Sequence, residues 1–156
     1  MTLLQTIEER LLGPNRGDIT FDEAVALTEL AAAELPELVT LAHRVRLEYC
    51  GDGVELESLI SAKTGGCPED CAFCSQSVHF ESPINVQPLL DPAEILEGAK
   101  ATEAAGASQY CIVVAVRGPN RFLMDSVLKS IALIHEQTSL KVDCSLGILT
   151  REQALQ

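Results

Sequence analysis

Apolar positions in the first third of the chain recur with the period of an α-helix, which predicts an amphipathic helix at the start. "GPNRG" at 13–17 interrupts this pattern. Thr20 and Glu23 then have capping-box spacing, which predicts a second helix through "TFDEAVALTELAAAE". Pro36 suits the first turn of a third helix that ends near Tyr49. The apolar residues of the first helix are Leu3, Leu4, Ile7, Leu11 and Leu12.

After residue 53 the pattern changes to short apolar runs that alternate with helical segments. Repeated strand–helix units of this kind imply a parallel sheet with right-handed crossovers. We therefore predict an α/β fold, a partial (β/α) TIM-type barrel over 54–156, preceded by an N-terminal helical segment over 1–53. The predicted strands are 54–62, 110–116 and 140–146, and the predicted helices are 91–106 and a segment from Met124 to His135.

The barrel predicted here is incomplete. Three βα units cannot close an eight-stranded barrel, which typically takes about 250 residues. Thr150 and Gln153 have the spacing of one more helix cap, but the printed sequence stops at Gln156. The expectation is the N-terminal part of a longer protein, or a truncated chain, that is not catalytically competent alone.

Charge and apolar patterning exclude several classes of function. The formal net charge of −12 disfavours nucleic acid and anionic membranes as partners, because both need clustered Lys and Arg. The first residues lack the basic start and apolar stretch of a secretory signal, and no run of about 18 apolar residues predicts a membrane span. A reducing cytoplasm is the predicted compartment, where clustered cysteines more often serve as metal ligands or redox groups than as disulfides.

Three of the six cysteines lie within eight residues, at Cys67, Cys71 and Cys74. Three thiolates on one loop suit a metal ion or an iron–sulfur cluster, and a four-iron cluster normally takes four cysteines. With only three cysteine ligands, one iron keeps an open coordination site for a substrate or cofactor. Two alternatives stay open: a Cys₃His zinc site completed by His79, and a redox pair at 71–74.

Charged residues flank this loop. Lys63, Glu69 and Asp70 are close to the cysteines in sequence, and Arg117 follows the second predicted strand. Active sites of barrels collect at such strand ends. Hydrogen bonds that hold the turn, or simple solvation, are an equally good interpretation of these side chains.

The spacing C-x₃-C-x₂-C, with Phe73 directly before the last cysteine, resembles the signature of the radical S-adenosylmethionine enzymes. This resemblance implies a [4Fe–4S] cluster on Cys67, Cys71 and Cys74, whose fourth iron is chelated by S-adenosylmethionine. It further implies that the cofactor is cleaved to a 5′-deoxyadenosyl radical, which takes hydrogen from an unactivated carbon. The backbone around Phe73 would meet the adenine.

The longer stretch "SAKTGGCPEDCAFCSQS", with Cys111 and Cys144 on predicted strands, resembles the biotin synthases. That family implies a second cluster, commonly [2Fe–2S], held in part by Cys111 and Cys144 and regarded as the sulfur donor to dethiobiotin. Ordinary buried cysteines are the alternative for both positions. The sequence departs from the family at Gln109, where many members have arginine, and it lacks the later strands that supply further ligands.

The implied activity is insertion of sulfur into dethiobiotin to form biotin. The resemblance also implies a flavodoxin- or ferredoxin-type electron donor and a homodimer when the protein is complete. One alternative is a radical S-adenosylmethionine relative with another substrate. The other, of a different class, is a non-catalytic zinc or iron–sulfur binding module.

Overall fold

A computed structural model describes all 156 residues of the chain. The chain divides into two compact units, Met1–Val54 and Glu55–Gln156. None of the helices combines the length and the apolar character that crossing a bilayer requires.

The first unit contains three α-helices: α1 (Leu3–Leu12), α2 (Phe21–Leu27) and α3 (Leu35–Cys50). α1 and α2 both begin with a capping box, in which a threonine and the third helical residue satisfy each other's backbone N–H groups. α3 has proline in its first turn, as the sequence predicted. The small core of this unit is made by Leu4, Ile7 and Leu41.

The second helix is shorter than its sequence predicted. The run of good helix formers after Thr20 predicted a helix through the alanines at 31–33, but α2 ends at Leu27. The hydroxyl of Thr28 donates a hydrogen bond of 2.7 Å to the carbonyl of Val25, an alternative partner for the backbone at the helix end. The chain resumes as a separate 3₁₀ turn at Ala32–Glu34.

The second unit contains three strands and two α-helices. The strands form one parallel sheet in the order β1–β2–β3, which confirms the prediction of an α/β fold with parallel strands. Each strand is shorter than its predicted segment, and β1 begins three residues later than predicted. The elements are β1 (Glu57–Lys63), α4 (Pro92–Ala104), β2 (Gln109–Val114), α5 (Arg121–Gln137) and β3 (Lys141–Ser145).

The core of this unit lies between one face of the sheet and the two helices. Successive residues of a strand point to opposite faces, so Tyr110, Ile112 and Val114 share a face, and all three are buried. They pack with Ile95 of α4 and Val127 of α5 in a single cluster. Cys111 and Val113 therefore belong to the opposite face, away from the helices.

A close contact between α4 and β2 gives a stability prediction. A Cβ atom added at Gly98 would clash with the hydroxyl oxygen of Tyr110, which donates a 3.3 Å hydrogen bond to the carbonyl of Ile95. We expect Gly98→Ala to lower the free energy of unfolding by about 1–3 kcal/mol, the usual cost of overpacking a core. Urea unfolding of the single and double variants measures it.

The double variant identifies the cause. Tyr110→Phe removes the atom that the new methyl group would meet, so the pair Gly98→Ala and Tyr110→Phe should be less destabilised than the sum of the two single changes. Strictly additive losses would show that the hydroxyl of Tyr110 is not what excludes a side chain at residue 98.

Candidate metal centre

The loops that follow the three parallel strands meet at one edge of the sheet, because the carboxyl ends of parallel strands lie together. Hydrogen bonds join these loops to one another. Arg117, after β2, pairs with Glu69 of the cysteine loop at 2.7 Å. The backbone carbonyl of Arg117 also accepts a 2.7 Å hydrogen bond from Ile148, after β3. All three loops are thus part of one surface.

The cysteine loop leaves β1 and carries Cys67, Cys71 and Cys74 as free thiols. Cys74 donates its backbone N–H to the carbonyl of Cys71 at 2.9 Å, so these two thiols flank a tight turn. Phe73 lies within that turn and is 95% exposed. A large apolar ring is therefore available for contact directly beside two of the thiols.

Backbone hydrogen bonds close the cysteine loop. Cys67 donates to the carbonyl of Gln76 at 3.0 Å, and Val78 donates to the carbonyl of Cys67 at 2.9 Å. Farther out, Thr64 and Gln87 exchange two backbone hydrogen bonds of 3.1 and 3.0 Å. The loop is consequently a defined structure whose two ends are held together.

Lys63 ties this loop to the second strand. Its ammonium group donates to the carbonyl of Gly65 at 2.7 Å and to that of Ala115, just after β2, at 2.9 Å. Hydrogen bonds from a charged donor are stronger than neutral ones. Lys63 and Glu69 both join the cysteine loop to the chain after β2, which agrees with a hydrogen-bonding role for these two residues.

The three thiols of the loop are not all close enough together for one zinc ion. The Nε2 atom of His79 lies 2.9 Å from the carbonyl of Pro68, an arrangement that leaves Nδ1 available as a metal ligand. Sulfur atoms bound to one Zn²⁺ lie within about 4.6 Å of each other, because each Zn–S bond is about 2.3 Å. The one set of three ligand atoms within 4.8 Å of one another in this chain lies elsewhere, in the sheet.

Cys111 and Cys144 have different neighbours in the sheet. Cys111 is buried on β2, and its register partner on β3 is Asp143. Cys144 is exposed and pairs with Ile112 instead. Because side chains alternate along a strand, this register gives Cys144 the face of Ile112 rather than that of Cys111. The sheet therefore does not gather the two thiols on one face.

Two carboxylates that the sequence analysis did not single out accompany Cys111. Ligand atoms of Glu57, Cys111 and Asp143 all lie within 4.8 Å of one another, one residue from each strand. Burial, followed by the neighbouring carboxylate of Asp143, raises the pKa of the Cys111 thiol to about 12. The signal in the sequence was a single acidic residue within each of two short strands. The register that joins them to Cys111 could not be known.

Comparison with known proteins agrees with the motif. Over all 156 residues the chain is 46% identical to the biotin synthase of Acidothermus cellulolyticus, and over 140 residues it is 47% identical to that of Corynebacterium jeikeium. The chain is a relative of the biotin synthases. It spans less than half the length of these two biotin synthases, 46% and 39% respectively. No family model matches the chain.

A solved structure supports the fold. The crystal structure of methylornithine synthase (PylB) superimposes with a TM-score of 0.72 on 99% of this chain, at 23% sequence identity. The alignment covers 43% of that structure. At this identity the likeness concerns the fold alone, so the relation to biotin synthases depends on the sequence comparison.

Proposed function

We propose that this chain is the cluster-binding part of a biotin synthase-like radical S-adenosylmethionine enzyme that inserts sulfur into dethiobiotin. The observation that carries the proposal is the loop with Cys67, Cys71 and Cys74 at the carboxyl edge of a parallel sheet. The identity of 46% with a biotin synthase over the entire chain supports the choice of substrate.

The loop residues fit a [4Fe–4S] cluster. Their thiols are free, two of them flank a tight turn, and the three sulfurs are not all as close together as one metal ion requires. With S-adenosylmethionine on the fourth iron, such a cluster supplies the one-electron chemistry that an unactivated carbon needs, which no side-chain acid or base can supply. The exposed Phe73 is suitably placed for the turn around it to meet the adenine.

The protein supplies the frame for that loop. Lys63 fixes the start of the loop to the end of β2, and Glu69 joins Arg117 on the next loop. Together these bonds hold the cysteine loop over the edge of the sheet, where substrates of α/β proteins bind. We propose that this frame positions the three thiols at that edge.

The sheet itself supports the proposal of an incomplete TIM-type barrel over 54–156, with 1–53 as a separate helical segment. Its three parallel strands follow each other in chain order, as barrel strands do. The TM-score of 0.72 with methylornithine synthase adds to this argument. The flavodoxin- or ferredoxin-type donor, the homodimer and the cytoplasmic location stay predictions.

A second, [2Fe–2S] cluster on Cys111 and Cys144 also stays a prediction, and the donor set in this chain fits it only in part. Two thiols are too few for a cluster, and the register gives them opposite faces of the sheet. Binding through both would require β3 to shift by one residue against β2 or to twist at Cys144. β3 has a neighbour on one side only in this chain, so such a shift disturbs a single strand pair.

The test is anaerobic reconstitution of the protein with iron and sulfide, followed by electron paramagnetic resonance of the reduced cluster. We expect the signal to change when S-adenosylmethionine is added, and a protein that contains the rest of the barrel to convert dethiobiotin to biotin. A signal that does not change when S-adenosylmethionine is added would contradict the proposed radical chemistry. A changed signal without biotin formation would favour a relative that acts on another substrate.

Metal analysis after purification without air separates this proposal from the non-catalytic alternative. Iron together with sulfide agrees with a cluster. Zinc in its place, with no gain of iron on reconstitution, would favour a zinc-binding module that His79 completes through Nδ1.

A further inference from the structure

Ser77 lies shortly after the last cysteine of the motif, and the proposed function gives it no role. It is only 7% exposed, and the other buried polar side chains of the chain, Thr102 and Ser130, lie in helices. Burial of a hydroxyl costs free energy unless the group is hydrogen-bonded. The contacts of Ser77 therefore show what its burial achieves in this loop.

The hydroxyl of Ser77 joins two parts of the cysteine loop. It donates a hydrogen bond to the backbone carbonyl of Glu69, which lies between Cys67 and Cys71. It also accepts a hydrogen bond of 3.1 Å from the backbone N–H of His79. A hydroxyl has one donor hydrogen and two acceptor lone pairs, so it fills both roles at once. Ser77 thus ties the first half of the motif to the segment that follows the motif.

Other contacts align the same two segments side by side. Cys67 and Ser77 form a parallel bridge, in which the backbone of Cys67 bonds to both neighbours of Ser77. Beside this bridge, the Nε2 atom of His79 lies 2.9 Å from the carbonyl of Pro68. The first segment is consequently held at three consecutive residues, by the backbone at the first and by side chains at the next two.

These bonds make residues 67–69 and 76–79 a clamp at the base of the loop. Cys67 lies within the clamp, whereas Cys71 and Cys74 flank the turn beyond it. The backbone N–H of Ser77 also donates a 3.4 Å hydrogen bond to the carbonyl of Cys74. Ser77 therefore contacts the clamp through its side chain and the turn through its backbone.

We propose that Ser77 is a positioning residue of the cluster site, whose hydroxyl sets the place of Cys67 relative to Cys71 and Cys74. This inference rests on the proposed function, because it concerns the cluster that the three thiols hold. Ser77 acts through the chain that carries the thiols and is not itself a ligand. Outer partners that orient metal ligands typically account for about 10–100-fold in metal affinity or activity.

The experiment compares variants of the 156-residue chain after anaerobic reconstitution with iron and sulfide. A ferrous chelator is titrated into each protein, and visible absorbance gives the chelator concentration that removes half of the cluster. We expect this concentration to fall about 10-fold in Ser77→Ala, because Cys67 loses its fixed position. Ser77→Thr keeps a hydroxyl and should restore most of the difference.

Ser130→Ala is the matched control. Ser130 is fully buried, and its hydroxyl donates a 2.9 Å hydrogen bond to the carbonyl of Ser126 within α5, outside the cysteine loop. Loss of this hydroxyl should leave the chelator concentration unchanged, even where the urea midpoint of unfolding falls. Equal losses of cluster from Ser77→Ala and Ser130→Ala would show that general stability determines retention, and would overturn the inference.

A spectroscopic measurement distinguishes positioning from stability. We expect the g values of the reduced cluster in Ser77→Ala to differ from those of the wild-type chain, and those of Ser130→Ala to agree with them. His79→Ala, at an exposed position, removes a different bond of the clamp and should also lower the chelator concentration. This second variant decides the question if circular dichroism shows that Ser77→Ala does not fold.

Two further outcomes separate this inference from the proposed function. Wild-type retention of the cluster in both Ser77→Ala and His79→Ala would overturn the positioning role alone. A wild-type chain that takes up no iron and sulfide would contradict the proposed function, and the positioning role with it.

Discussion

Cys71→Ser is expected to abolish the iron and sulfide that the chain retains after anaerobic reconstitution. A serine hydroxyl is not deprotonated at neutral pH, so it does not replace a thiolate on iron. Cys71 is exposed, and its substitution should therefore change the free energy of unfolding by no more than about 0.5 kcal/mol. Iron content, sulfide content and visible absorbance measure the first effect, and urea unfolding measures the second.

Cys50→Ser is the matched control for this variant. Cys50 is also an exposed free cysteine, but it lies at the end of α3 in the helical segment. We expect this variant to retain the full iron content. Equal losses in Cys50→Ser and Cys71→Ser would mean that iron binds to exposed thiols without selection. Retention of the cluster in Cys71→Ser would remove the proposed ligand set.

Gly147→Ala is expected to lower the free energy of unfolding by about 2–4 kcal/mol, the largest effect we predict for a single methyl group. Gly147 has φ +73°, where an L residue costs about 1–2 kcal/mol. A Cβ there would also lie 2.5 Å from the carbonyl oxygens of both Val116 and Arg117. These oxygens belong to the backbone and cannot move aside without opening the loops after β2 and β3.

Gly106→Ala separates the two causes. Gly106 has φ +90°, but no atom lies within 4 Å of its added Cβ. We expect this variant to lose only the conformational part, about 1–2 kcal/mol. Equal losses from both variants, measured by urea unfolding, would mean that the approach of Gly147 to Val116 and Arg117 contributes nothing to stability.

The order of elements could be read from the sequence because each signal is local. Asp91 caps α4 and Pro92 occupies its first position, as the helix-start pattern predicted. The apolar run at 110–116 became β2 because a short apolar run between loop signals suits a buried strand. The end of α2 was not predicted. The hydroxyl of Thr28 donates a hydrogen bond to the backbone carbonyl of Val25, and helix propensities do not include such side-chain bonds.

The candidate site also has one part that local sequence reveals and one part that it does not. Cys67, Cys71 and Cys74 could be named from spacing, since a loop ligand set is a local pattern. The neighbours of Cys111 could not, because they depend on strand register. A shift of one residue between β2 and β3 would exchange Asp143 for Cys144 as its partner, and nothing local in either strand distinguishes the two pairings.

The hydrogen bonds that close the cysteine loop bear on the proposed binding of a cluster. In small zinc domains, metal binding and folding are one event, and a chelator denatures the protein. Here the bonds of Cys67 with Gln76 and Val78 already fix the course of the chain. On the proposed function, these bonds reduce the chain entropy that the loop would lose when a cluster binds.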